Sequence, residues 1–321
     1  SSKQAMRKAP PTRTHGLLLI FVAGVCYAQL FMATPINDLG TSKYLGLYIG
    51  GLYAGGGNIV PATHDAEGKR RALVIAGAPK YVLLSIGMSN TRTEFLAFRD
   101  QAALDPAVNH TSLVIVNGAQ SARDAPYWTD PTNFVYDRVR EILATKGCIE
   151  ADVMATWVKV ANANPTRSLP SWGNDAFALE GSLGKIARAL RVRYPNIQQM
   201  YVSSRIYAGY ATVALNPEPY AYETGFAVKW LITSQMNQMA GTEREKRPGD
   251  VNYNTVAPWI IWGPYMWASD DTPRSDGLTW LPGDFASDGT HPSAIGTQKV
   301  AALLLVFFKA SDYSRPWFSV M

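Results

Sequence analysis

Residues 80–91 read KYVLLSIGMSNT. The first part, 80–86, is a short apolar run rich in strand-forming residues, and Gly87 closes it. An apolar run of this length bounded by a glycine is typical of a strand that is buried on both faces. The pattern at 94–103 then favours a helix. This stretch therefore predicts a buried strand, a turn and a helix in direct succession.

The same unit recurs along the chain. Four more apolar runs resemble the first and predict strands at 112–116, 151–160, 197–203 and 256–262. Helical patterns alternate with them, at 136–145, 175–194, 225–239 and 293–309. Short apolar strands alternating with helices predict a parallel sheet covered on both faces. We therefore predict an α/β fold, a three-layer α/β/α sandwich around a central, mainly parallel five-stranded sheet.

The alternation occupies residues 80–310, and we predict that this region is one domain. Two segments within it, 205–224 and 241–287, do not fit the pattern and are predicted to be insertions. Residues 34–79 are predicted to be an N-terminal extension that packs as a loop near the site, and residues 311–321 a C-terminal tail. The glycine-rich run at 50–58 lacks the Gly-Lys-Ser/Thr ending of a phosphate-binding loop, so a flexible loop is the better interpretation.

The N-terminal segment has the composition of a targeting signal. Residues 1–15 hold four basic residues and no acidic one, and residues 16–33 carry no formal charge. This order matches a secretory signal with a cleavage site near Cys26. The uncharged run is also close to the shortest length that spans a bilayer. We predict that residues 1–33 are a signal peptide or an N-terminal membrane anchor. The protein is then extracytoplasmic, secreted or periplasmic, and touches a membrane only through this segment if it is retained.

Composition excludes several classes of protein. The net charge is +5, and the first 15 residues supply four of these charges, so the remaining chain is close to neutral. A nucleic-acid-binding domain carries a basic stripe through its body, which is missing here. Two cysteines cannot staple a disulfide scaffold. The four histidines are too far apart in sequence to form a metal motif. We therefore predict no nucleic-acid partner, no metal and no cofactor.

Ligands of an open parallel sheet bind at the carboxyl ends of its strands, so chemistry is expected just after each apolar run. Ser89 follows the first run and precedes a helix. In that turn its hydroxyl lies near the N–H groups of the first helical turn, which suits a nucleophile beside an oxyanion site. The same position is also typical of a serine that caps a helix N-terminus.

A second polar cluster, DGTHPS at 288–293, precedes the last predicted helix. Asp288 and His291 stand three residues apart in a turn restrained by glycine and proline. A carboxylate at this spacing can accept the imidazole Nδ1–H and leave Nε2 basic, ready to take a proton from a serine hydroxyl. A turn in which Asp and Ser cap the helix while His is solvated is the alternative.

Taken together, these segments resemble the SGNH (GDSL-type) serine hydrolase family over residues 80–310. Ser89 in IGMSNT matches the nucleophile block, and Asp288 and His291 match the Asp-x-x-His block. The resemblance implies the SGNH-hydrolase form of the flavodoxin-like sandwich, with these three residues as the catalytic triad. Met88 stands where the family usually has Asp. The Gly-x-Ser-x-Gly elbow of α/β-hydrolases is absent, because position 91 is Thr.

The resemblance also implies an oxyanion hole. Its donors would be the N–H of Ser89, the N–H of Gly118 after the second strand, and an asparagine amide after the third strand. The family's Gly-x-Asn-Asp block is missing there. We assign the amide to Asn162, with Asn164 as the next candidate, and Gln120 is another possible donor.

The predicted function is a serine ester hydrolase that forms an acyl-enzyme on Ser89, with His291 as base and Asp288 as its partner. The substrate is predicted to be a small-molecule or polysaccharide ester, carrying carbohydrate-linked or short-chain acyl groups. Aromatic residues in the loops either line a cleft for it or simply cover the sheet. The residues expected to line the substrate site are Met88, Asn90, Gln120, Arg205, Tyr207 and Trp267. The alternatives are a catalytically inactive binding or structural protein of the same fold, and a lipase, phospholipase or thioesterase.

Overall fold

The structure is a computed structural model that describes residues 31–243 and 245–320. The predicted leader falls almost wholly outside the described residues, so its assignment as signal or anchor stays a prediction. The described strands are β1 Lys43–Tyr44, β2 Tyr48–Ile49, β3 Tyr81–Gly87, β4 Leu113–Asn117, β5 Val153–Lys159, β6 Gln199–Val202 and β7 Trp259–Trp262. The described α-helices are α1 Ile36–Leu39, α2 Ala62–Ala76, α3 Ser89–Leu104, α4 Phe134–Thr145, α5 Asp175–Arg193, α6 Tyr220–Met239, α7 Ala294–Ala310 and α8 Arg315–Phe318.

The five apolar runs form one sheet in the order β4-β3-β5-β6-β7, and every neighbouring pair is parallel. All seven residues of β3 are buried, as are all seven of β5, which explains why their sequences are continuous apolar runs rather than alternating ones. The chain runs outward from β3 to β4 and then returns to the other side of β3. In such a sheet the reversal point between β3 and β5 opens a crevice at the carboxyl ends of the strands.

Helices cover both faces of this sheet. One face carries α2, α3, α7 and α8, and the other carries α4, α5 and α6. On the first face the Phe95 ring of α3 stacks on Trp157 of β5 at 5.6 Å, and Tyr201 of β6 meets Phe308 of α7 edge-on at 5.2 Å. The predicted three-layer α/β/α sandwich with a five-stranded sheet is confirmed.

The segment 34–79 differs from its prediction as a loop-like extension. It holds the antiparallel pair β1–β2 and the 15-residue helix α2. Five of the helix residues are charged, so the sequence does not show a clear helical pattern of apolar residues for its narrow buried face. Gly68 on that face lies so close to Trp259 of β7 that a Cβ atom would stand 2.3 Å from the indole ring. The helix therefore packs on the sheet next to β7.

Other boundaries also shift. α3 begins at Ser89 itself, five residues before the predicted start, and α6 begins at Tyr220, inside the predicted insertion 205–224. β7 confirms the strand predicted at 256–262, so the predicted insertion 241–287 belongs partly to the sheet. Among residues 31–243 and 245–320, no helix is long and apolar enough to cross a bilayer.

Candidate active site

The predicted nucleophile lies where β3 passes into α3. Gly87 ends the strand, Met88 is the N-cap residue with extended backbone angles, and Ser89 is the first helical residue. A Cβ atom on Gly87 would stand 2.4 Å from the backbone oxygen of Lys159, so only glycine allows β3 and β5 to close here. Met88 provides no side-chain cap, and the Ser89 hydroxyl points to a histidine instead. The capping interpretation of Ser89 is therefore wrong.

Ser89, His291 and Asp288 form one chain of hydrogen bonds. Ser89 Oγ lies 2.8 Å from His291 Nε2, and His291 Nδ1 lies 2.6 Å from Asp288 Oδ2. The serine and the histidine are 202 residues apart in sequence. This is the order of contacts that allows a serine to lose its proton to Nε2 while a carboxylate accepts the Nδ1–H.

The Asp288 carboxylate also organises its own turn. Its Oδ1 accepts hydrogen bonds from the backbone N–H groups of Thr290 at 3.0 Å and of His291 at 2.9 Å. Partial burial raises the pKa of the Asp288 carboxyl, but hydrogen bonds from the His291 side chain and from the two backbone N–H groups outweigh it. The net pKa lies below its ordinary value. The carboxylate therefore stays ionised at neutral pH beside the imidazole.

Two further contacts fix the turns that carry the triad. Asn90 donates its side-chain amide to the backbone oxygen of Thr290 at 3.0 Å, which ties the start of α3 to the histidine turn. Gly289 has a φ of +63°, and a Cβ atom there would stand 1.9 Å from the Tyr210 backbone oxygen. The Thr212 N–H donates to the Asp288 backbone oxygen at 3.0 Å. The predicted insertion 205–224 thus packs against the turn 288–291 that carries His291.

A buried ion pair lies between one and two helical turns beyond Ser89 on α3. Glu94 of α3 contacts Lys159 Nζ with both carboxylate oxygens at 2.6 Å, and both side chains are fully buried. Burial lowers the pKa of Lys159 to about 8, an effect that the adjacent Glu94 opposes. Thr91 adds a hydrogen bond of 2.5 Å to the backbone oxygen of Lys159. These contacts lock the first turns of α3 onto the end of β5.

Ser89 and His291 open into a cavity of about 260 Å³. Of the residues predicted to line the substrate site, Met88, Asn90 and Arg205 do line it. No motif in the sequence indicated the residues on the other side of the cavity. That side is formed by the turn 122–124, in which Ala122 has a φ of +56°, together with Tyr127, Ala163, Leu215 and Asn216.

Three residues predicted to line the substrate site lie outside the cavity, because the polar group of each forms a hydrogen bond to another part of the protein. Gln120 donates to the Val135 backbone oxygen at 2.9 Å and borders a separate groove. Tyr207 is fully buried and donates its hydroxyl to the Phe31 backbone oxygen. Trp267 is fully buried too, and donates its indole N–H to Glu218 at 2.7 Å. The prediction that these three side chains contact substrate is wrong for this structure.

The predicted oxyanion donors are only partly in place. Asn162 donates its amide to Asp175 Oδ1 at 2.9 Å, so the amide is not free for a reacting carbonyl. Gly118 packs closely against Leu84 and does not border the cavity. The first N–H groups of α3, starting with that of Ser89, have no partner within the helix, and Ser89 and Asn90 line the cavity. Of the three residues predicted to provide oxyanion donors, only Ser89 lines the cavity, and its role as a donor stays a prediction.

Across residues 31–243 and 245–320, no group of three or more His, Cys, Asp or Glu side chains is arranged to hold a metal ion. Cys148 is a free, buried cysteine. The predicted cleavage site near Cys26 falls outside the described residues.

No protein-family model matches the chain, and no curated protein matches it. Among solved structures, the chain is similar to a salicylyl-acyltransferase from a tetracycline biosynthetic pathway, with 13% sequence identity and a TM-score of 0.31. The match covers 71% of this chain and 53% of the acyltransferase, so this chain spans about half the length of that protein. A likeness at this level carries no information about activity.

Proposed function

We propose that the chain is a serine ester hydrolase of the SGNH type, a carboxylic ester hydrolase that works through an acyl-enzyme. The observation that carries the proposal is the hydrogen-bonded chain from Ser89 through His291 to Asp288, with distances of 2.8 and 2.6 Å, open to a cavity. The resemblance of IGMSNT and DGTHPS to the family's blocks supports the same assignment.

The first half-reaction follows from these distances. Ser89 Oγ attacks the ester carbonyl carbon while its proton passes to His291 Nε2. Asp288 holds the Nδ1–H and stabilises the imidazolium that forms. The carbonyl oxygen gains negative charge and accepts hydrogen bonds from the first-turn N–H groups of α3, beginning with that of Ser89. The C–O bond to the alcohol then breaks, and the alcohol leaves with the proton from Nε2.

The second half-reaction repeats these roles with water. His291 Nε2 takes a proton from a water molecule, whose oxygen attacks the acyl carbon bound to Ser89 Oγ. The bond to Oγ breaks, the proton returns to Ser89, and the carboxylic acid leaves. The residues at the cavity are sufficient for each proton transfer in this sequence.

The size of the cavity supports a short acyl group. A volume of about 260 Å³ lies below the range of roughly 300–1,000 Å³ that is typical of drug-sized ligands. Because Tyr207 and Trp267 are buried in packing contacts, they do not provide a stacking surface for a sugar. We therefore favour small acyl esters, including short acyl groups on carbohydrates, over long-chain lipids.

A fluorophosphonate probe and p-nitrophenyl acetate test the proposal together. The wild-type protein should label at Ser89 and release p-nitrophenol, and Ser89→Ala should lose both. Ser182 provides a matched control, since it stands between two glycines inside α5, and Ser182→Ala should keep both activities. Equal turnover by wild type and Ser89→Ala, or no label on Ser89, would contradict the proposal and favour a non-catalytic protein of this fold.

A further inference from the structure

Arg205 borders the same cavity as Ser89 and His291. It follows the carboxyl end of β6 by three residues, and its backbone N–H is fixed by a hydrogen bond of 3.0 Å to Thr224 Oγ1. The residue is only 1% exposed. An arginine is rarely buried to this degree unless its charge has a partner.

The guanidinium of Arg205 lacks that partner. Its Nε and Nη2 atoms are buried and have no hydrogen-bond acceptor in the described chain. No carboxylate of residues 31–243 or 245–320 lies within ion-pair distance of it. A buried charge left in this state is costly, and the cost is offset when an anion or a set of acceptors comes to it.

The carboxylates that act on Arg205 through space are Glu94, Glu218 and Asp288. Each of them is already satisfied by other donors. Glu94 binds Lys159 with both oxygens, and Asp288 binds the histidine turn. Glu218 accepts the Trp267 indole N–H at 2.7 Å and two backbone N–H groups at 2.9 Å. Residues 31–243 and 245–320 therefore supply no acceptor for the Arg205 Nε and Nη2 atoms, and the cavity that Arg205 borders can admit a ligand.

We propose that Arg205 binds a carboxylate carried by the ester substrate, so that the enzyme prefers esters of small acids or alcohols that bear one negative charge. This inference rests on the proposed hydrolase function and narrows its substrate class. A guanidinium forms paired, charge-assisted hydrogen bonds with a planar carboxylate, which fixes the orientation of the ligand as well as its position. The ester carbonyl is then held at Ser89 by a contact remote from the reacting bond.

The second arginine at the cavity provides a comparison. Arg123 is only half-buried, and its guanidinium lies over the rings of Tyr127 and Phe134 at 4.8 and 5.1 Å. Its charge is therefore both stacked and exposed to solvent. Asp124 also lines the cavity and repels an anion there. The buried, unpartnered Arg205 is thus the stronger attachment point for a carboxylate.

Two matched ester pairs decide on which side of the ester the carboxylate lies. For the acyl side, monomethyl succinate is compared with methyl succinamate. For the alcohol side, 3-acetoxypropanoate is compared with 3-acetoxypropanamide. In at least one pair, kcat/KM of the wild type should be about ten- to a hundredfold higher for the anionic ester, the effect expected of a hydrogen bond to a charged group. Ratios near one in both pairs would overturn the proposal.

Variants then identify the residue. In Arg205→Gln the anionic-to-neutral ratio should fall to about one, and in Arg205→Lys it should be intermediate, because the charge remains without the paired donors. Arg123→Gln should keep most of the wild-type ratio. A ratio that survives in Arg205→Gln, or that disappears only in Arg123→Gln, would refute the assignment to Arg205.

A binding measurement distinguishes this inference from the hydrolase proposal. It can be made on the wild type even if Arg205→Gln does not fold. Titration calorimetry of the wild type should show tighter binding of butyrate than of butyramide, and Arg205→Gln, if folded, should lose the difference. If no ester is cleaved and Ser89 does not label, but butyrate is still preferred, the hydrolase proposal fails and the carboxylate site stands. If Ser89 labels and neutral esters are cleaved while butyrate and butyramide bind equally, only the carboxylate site fails.

Discussion

Replacing Asp288 with asparagine tests the proposed mechanism most directly, because it removes one charge and leaves the turn intact. In the wild type, Asp288 Oδ1 accepts two backbone N–H groups and Oδ2 accepts the His291 Nδ1–H. The asparagine oxygen can keep both backbone contacts if its NH₂ group takes the place of Oδ2. That NH₂ group donates to Nδ1, so the imidazole proton moves to Nε2, the atom that faces Ser89 Oγ at 2.8 Å.

This tautomer cannot accept the proton of the serine. The alternative is to turn the amide around, which restores the Nδ1–H acceptor but places NH₂ against two backbone N–H groups. Losing two backbone hydrogen bonds costs about 1 kcal/mol each, before the unfavourable contact of donors is counted. The inactive tautomer is therefore favoured. Such a replacement in a Ser-His-Asp triad lowers kcat about 10⁴-fold, or about 5 kcal/mol of transition-state stabilisation.

The assay is the turnover of p-nitrophenyl acetate at pH 7 by the wild type, Asp288→Asn and Asp124→Asn, with urea unfolding to establish that each protein folds. Asp124 is a carboxylate at the cavity that accepts a hydrogen bond from the Ala163 N–H and has no contact with the histidine. We expect Asp124→Asn to stay within about tenfold of the wild type. A folded Asp288→Asn protein that keeps more than a tenth of wild-type kcat would refute the tautomer argument.

Three further predictions concern the frame around the site. Burial lowers the pKa of His64 to about 4, and its Nδ1 accepts the Trp259 indole N–H. Neutral His64 therefore stabilises the fold above pH 6.5, and this contribution of about 3 kcal/mol is lost as the pH falls to 4. Urea unfolding of His64→Gln should show a correspondingly weaker acid dependence. Gly289→Ala places a side chain against the backbone of the insertion at a positive φ, so kcat should fall about 10²-fold as the histidine turn shifts. Lys159→Met leaves Glu94 buried without its partner and should lower the free energy of unfolding by about 3–5 kcal/mol, whereas Lys159→Met with Glu94→Leu should recover much of that loss.

Each of these predictions has a matched control in the chain. His110 is exposed, so His110→Gln should leave the free energy of unfolding at neutral pH within about 0.5 kcal/mol of the wild type. A Cβ atom on Gly283 would meet nothing within 4 Å, so Gly283→Ala should keep kcat. Lys69 forms a solvent-exposed pair with Asp65 at 3.0 Å, and Lys69→Met should leave the urea midpoint close to that of the wild type. Parallel behaviour of any test variant and its control would contradict the corresponding argument.

The sequence predicted the sheet well because strands buried on both faces are mostly apolar, as β3 and β5 are apart from Ser85, Thr156 and Lys159. It predicted that Ser89, Asp288 and His291 come together because strand ends and an Asp-x-x-His turn are local patterns. Helix α2 was missed since its charged residues dominate a short buried face. The helix boundary at Ser89 was missed because Met88 carries no capping side chain.

The lining of the cavity was predicted less well for a different reason. Which way a polar side chain turns depends on partners distant in sequence, and local patterns do not contain them. Asn162 turns to Asp175, 13 residues away, and Trp267 turns to Glu218, 49 residues away. Arg205 was expected at the site by its place after a strand, but its missing partner is visible only once every neighbouring carboxylate has been assigned its own donors.

The separation of Ser89 and His291 along the chain bears on how the molecule becomes competent during synthesis. The nucleophile's strand and helix emerge from the ribosome early, whereas the histidine precedes α7, which packs against α3 near the end of the chain. A nascent polypeptide therefore carries Ser89 without its proposed base until α7 has docked. Ester cleavage followed during refolding would report that final docking, and the tryptophans of the sheet, such as Trp157, would report the earlier assembly of the strands.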